Sequence, residues 1–67
     1  MGVAKVIEIS STSPKSFEDA VAQGIRRAGE TISNIRSAWV KEQTVEIAGN
    51  EITDYRVNLM VTFVLED

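Results

Sequence analysis

The C-terminal third of the chain alternates with period two: Tyr55, Val57, Leu59, Val61, Phe63 and Leu65 stand against Arg56, Asn58, Met60, Thr62 and Val64. That pattern belongs to a strand with one buried face. Carried back to Ile52, the strand spans about 14 residues or roughly 45 Å, whereas the only helix the chain can form is about 28 Å long. One helix does not cover such a face. Ile52, Met60 and Val64 also interrupt the polar face, so parts of both faces need a partner chain. Self-assembly is the first expectation about function.

Size points the same way. A 67-residue chain buries only about 60% of the surface its unfolded form exposes, which leaves a thin margin for a lone core. The chain has no cysteine and no histidine, which excludes disulfides and the usual zinc sites and leaves oligomerisation or an oxygen-ligated ion as reinforcement. Ten acidic against seven basic residues, net charge −3, argue against nucleic acid as the main partner. No apolar run reaches membrane length and the N-terminus lacks the apolar core of a signal peptide, so no membrane partner and a cytoplasmic location are expected.

Four elements fill the chain as one domain, 1–67. Val3 to Ser10 is a β-branched run closed by the polar cluster Ser10 to Pro14. Ser13 as N-cap with Pro14 at the first helical position starts a helix, and Glu18 and Asp19 suit its positive end. Phe17, Ala20, Val21, Gly24, Ile25, Ala28, Ile32 and Ile35 repeat at helical steps, giving an amphipathic helix that frays near Ser33 and Asn34. Gly24 lies on the apolar stripe, where its use is close approach of helix to sheet. Arg26 and Glu30 on the opposite face are spaced for an i,i+4 pair. A second extended run covers Ser37 to Ile47, and Ala48, Gly49 and Asn50 turn it into the last strand. The expected class is α+β, in the order β-α-β-β, with a three-stranded antiparallel sheet curled around one helix.

With these residues on the page, the chain resembles the dodecins over essentially its whole length. The resemblance rests on V-A-K-V-I-E-I at the start, T-S-P before the helix and A-V-A-Q-G-I-R-R-A-G-E-T-I along it. V-K-E-Q and Y-R-V-N-L-M-V-T-F complete it. It implies a hairpin curled around one helix and a hollow homododecamer, which would cover the long strand.

The resemblance also implies a ligand. Flavin-binding dodecins stack a tryptophan on the isoalloxazine ring and bond its polar edge with a glutamine. Those positions fall on Ser37 and Arg56 here. Serine offers no stacking surface, and arginine donates hydrogen bonds but accepts none. Trp39 lies two residues beyond Ser37, on the same strand face and about 7 Å along it. It either supplies a shifted stacking site or packs against a neighbouring subunit. Arg56 either meets an anionic group such as the FMN phosphate or pairs with Glu42 or another carboxylate. The R-S-A-W-V-K-E-Q and I-T-D-Y-R-V segments look closer to dodecin-like proteins that are flavin-free and linked to calcium. Glu42, Glu46, Glu51 and Asp54 offer hard oxygen ligands, with Glu42, Glu46 and Asp54 the metal candidates. None has the spacing of an ion-binding loop; each taken singly reads as a solvated or salt-bridged carboxylate. Repetition around a symmetry axis could build a site that no single chain displays.

An enzyme is not expected, because the chain has no nucleophile motif and no phosphate-cradling glycine loop. Three readings follow. The first is a shell that stores or buffers FMN or riboflavin, the second a flavin-free shell that binds calcium or another cation, and the third a purely structural assembly.

Overall fold

The long alternating segment takes the middle of a three-stranded sheet. In the computed structural model, which describes residues 2–65, β1 is Val3–Ser13, α1 is Phe17–Ala28, β2 is Ile35–Ala48 and β3 is Glu51–Leu65. Residues 1, 66 and 67 of the expected 1–67 domain lie outside the described range. The strand order is β1-β3-β2, with both pairings antiparallel. β3 pairs with β1 from Tyr55 to Leu65 and with β2 from Glu51 to Phe63, so it is paired on both sides from Tyr55 to Phe63.

The β2–β3 connection is a two-residue turn. Gly49 (φ 59°) and Asn50 (φ 67°) both occupy the left-handed region. Those torsions suit a primed hairpin turn whose twist matches the strands, and glycine and asparagine tolerate them best.

The helix begins later and ends earlier than its sequence pattern suggests. Ser16, not Ser13, is the N-cap, its side chain accepting from the Asp19 amide at 3.0 Å. Ser13 is instead the last residue of β1 and is fully buried. Its hydroxyl donates to Asp19 Oδ2 at 2.6 Å and accepts from the Lys15 amide at 3.0 Å, tying the end of β1 to the first turn of α1. Gln23 Nε2 donates to the same Asp19 oxygen at 2.8 Å. At the other end the helix stops at Ala28, and Gly29 caps it with its amide on the Arg27 and Ile25 carbonyls. Ile35 belongs to β2, so the apolar stripe runs past the helix into a half-buried strand residue. With Glu30 outside the helix, it pairs with Arg27 at 3.0 Å rather than with Arg26.

The core is small because the helix lies close to the sheet. Ala20, Gly24 and Ala28, spaced four apart, are the buried residues of α1. Ala20 packs in one cluster with Val57, Leu59 and Val61 of β3, with Ile7, Ile9, Phe17, Val21, Ile25 and Ile35 around them, and Gly24 lies against Ser11 and Leu59. Phe17 and Tyr55 close one end edge-to-face, ring centroids 5.1 Å apart. α1 lies over β1 and β3, and β2 is exposed along its length except at half-buried Ile35 and Val45. A 12-residue helix is about 18 Å long, whereas the molecule measures 51 × 19 × 14 Å. The β2–β3 hairpin therefore projects beyond the helix as an arm.

Two outcomes follow. A Cβ at Gly24 would stand 3.0 Å from Ser11 Cβ and 3.2 Å from Leu59 Cδ1. Ser11 Cβ moves only with its strand, so Gly24→Ala should lose about 1–2 kcal/mol in urea unfolding despite alanine's better helix propensity. An unchanged or higher midpoint would contradict the close approach. Asp19 is held below its ordinary pKa, first by the hydrogen bond from Ser13 and then by that from Gln23. The folded value lies below the unfolded one, so this stabilisation is present above about pH 3.9 and fades as pH falls through the folded value. Asp19→Asn should accordingly show a shallower loss of stability on acidification than the parent chain.

Candidate functional site

Residues opposed across a sheet share a face, so the register sorts the candidate residues. Val57, Leu59 and Val61 face the helix, and Gln43, Val40 and Ala38 lie opposite them on β2. The outer face is set by Arg56, Asn58, Met60 and Thr62 of β3, opposite Thr44, Glu42, Trp39 and Ser37 of β2. Glu46 opposite Asp54 continues it towards the arm tip. Ser37, Trp39, Glu42, Glu46, Asp54 and Arg56 therefore all lie on this one face, away from α1.

Beyond the irregularity that skips Arg36 between Ile35 and Ser37, two bulges shape it. The register skips Lys41 between Val40 and Glu42, and that extra residue lets Trp39 and Glu42 share a face although three positions apart. Lys41 reaches across to β1, its Nζ on Glu8 Oε1 at 3.3 Å. The second bulge skips Thr53, so Ile52 pairs with Ile47. Ile47 alternates with Val45 onto the helix side, so Ile52 belongs to the inner face and not, as the alternation of β3 alone implied, to the outer one.

The face does not gather the candidates into one pocket. Trp39 lies opposite Met60 and Ser37 opposite Thr62, which puts them about 13 Å and 20 Å along β3 from Arg56 at strand rise. Within one chain a ring stacked on Trp39 does not reach Arg56. Trp39 itself is 53% exposed. Arg56 is exposed, between Thr12 and Thr44, with Glu42 and Glu46 as diagonal neighbours and Asp54 two residues before it. Among the described residues it is in no ion pair within 4 Å; Glu42 accepts instead from Asn58 Nδ2 at 3.1 Å. Glu46 and Asp54 are directly opposed like charges, an arrangement that destabilises a sheet unless a cation lies near. Among the described residues no three acidic side chains converge as a metal cluster. The donors here are all oxygens, which suits a hard cation, but such an ion takes six to eight of them.

Sequence periodicity could not reveal the Lys41–Glu8 bridge, because the bulge that creates it leaves no mark on alternation. Nor did it reveal that Ile47 and Ile52, 63% and 51% exposed, form an exposed apolar pair on the inner face of the arm, or that Val40, opposite buried Leu59, is 42% exposed. The order β1-β3-β2, which leaves β2 outside the helix's cover, is the missing information.

Comparison with known proteins fits this architecture. The dodecin family model matches residues 3–66. The chain is 41% identical over 63 residues to the calcium dodecin of Mycobacterium tuberculosis, covering 94% of this chain and 89% of that one. Its fold superposes on a dodecin from Streptomyces davaonensis with TM-score 0.94 at 29% identity, covering 98% and 97% of the two chains. It superposes on the crystal structure of the M. tuberculosis calcium dodecin, described as a calcium-chelating antigen, with TM-score 0.82 at 40% identity, covering 96% and 91%. The chain belongs to the dodecin family, and its β-α-β-β architecture is the one seen in those structures.

Arg56 is the cation set among three carboxylates, and its interactions there are exposed and screened by salt. Arg56→Ala should cost up to about 1 kcal/mol at low ionic strength and almost nothing near 1 M salt. A loss that salt leaves unchanged would mean that Arg56 is held by something other than these charges.

Proposed function

We propose that the protein is a non-catalytic, cytoplasmic homododecameric shell that binds a hard cation, with calcium the first candidate. The observation that carries this reading is the 41% identity over 63 residues to a calcium dodecin. The outer face supports it: Glu46 opposes Asp54, and Glu42 lies further along the same face. Because one chain supplies too few oxygens, these carboxylates would complete an ion's shell together with those of neighbouring copies. Serine and arginine at the positions where the flavin-binding pattern has its aromatic and its amide support it further.

A second reading, storage of FMN or riboflavin, is favoured by one feature. Trp39 is half-exposed on the same face as Ser37, so part of its indole is open to contact. Stacking on one indole contributes about 1–3 kcal/mol. Any contact from Arg56 to that ring would have to come from another copy.

Thermal unfolding distinguishes the two. On the cation reading, calcium raises the midpoint saturably, by an amount corresponding to about 2.7 kcal/mol at a hundredfold excess over Kd. The combined E42Q, E46Q and D54N variant should lose that response, and FMN and riboflavin should leave Trp39 fluorescence unchanged. Saturable quenching of Trp39 by flavin with no calcium response would replace the first reading with the second. No response to either would favour an assembly without a specific ligand.

A further inference from the structure

We draw no further inference here: the strongest candidate, the groove of about 640 Å³ between α1 and the edge strand β1, with Ile9, Ala28 and Ile32 as its apolar wall and Arg27 at its rim, carries none because nothing in the structure shows what covers it.

Discussion

The structure depends on a mismatch of lengths. β3 is 15 residues long and paired on both sides from Tyr55 to Phe63, so the backbone hydrogen bonds of that stretch are met within the chain. Its apolar face, however, has only a 12-residue helix to cover it. The helix solves part of the problem by approaching closely. Ala20, Gly24 and Ala28 put almost no side chain between its backbone and Val57, Leu59 and Val61, each of which contributes about 1.5–3 kcal/mol by leaving water. Ser13 and Asp19 fix where the helix starts, and so which half of the sheet it covers.

What the helix leaves bare then sets what the protein can do. The Ile47–Ile52 pair on the inner face of the arm stays 63% and 51% exposed, and Val40 opposite Leu59 is 42% exposed. The outer face carries the carboxylates, Arg56 and Trp39 in separate stretches instead of one pocket. On the proposed reading, a single chain is half of an interface and a fraction of a binding site. Both defects have the same remedy, symmetric repetition of the chain, which covers the arm and can bring distant groups of different copies together. Membership of the dodecin family agrees with an architecture in which the repeated unit is incomplete alone.

Much of this was legible in the residues. Strict alternation from Tyr55 to Leu65 defined β3 and its buried face, Gly49 and Asn50 marked the turn, and Gly24 announced the close approach that its neighbours at 3.0 and 3.2 Å make concrete. The placement of Trp39 on the same face as Ser37 also followed from period two. The errors have a common physical origin: patterns read one residue at a time do not register where backbone geometry changes. Pro14 drew the N-cap to Ser13, while Ser16 is the residue whose hydroxyl reaches the Asp19 amide. Ile32 and Ile35 continued the helical period, although Gly29 had already ended the helix. The bulges at Lys41 and Thr53 shifted faces without altering composition, and only the register reveals that Arg56 stands far from Trp39.

The central claim is that this fold is stable only as part of an assembly that covers its arm. Analytical ultracentrifugation over a dilution series from micromolar to nanomolar chain tests it directly when circular dichroism is followed on the same samples. The account predicts one large, discrete species, with folded structure lost as that species dissociates. A dilute monomer that keeps its sheet and helix signal would contradict it, because the arm would then be stable uncovered.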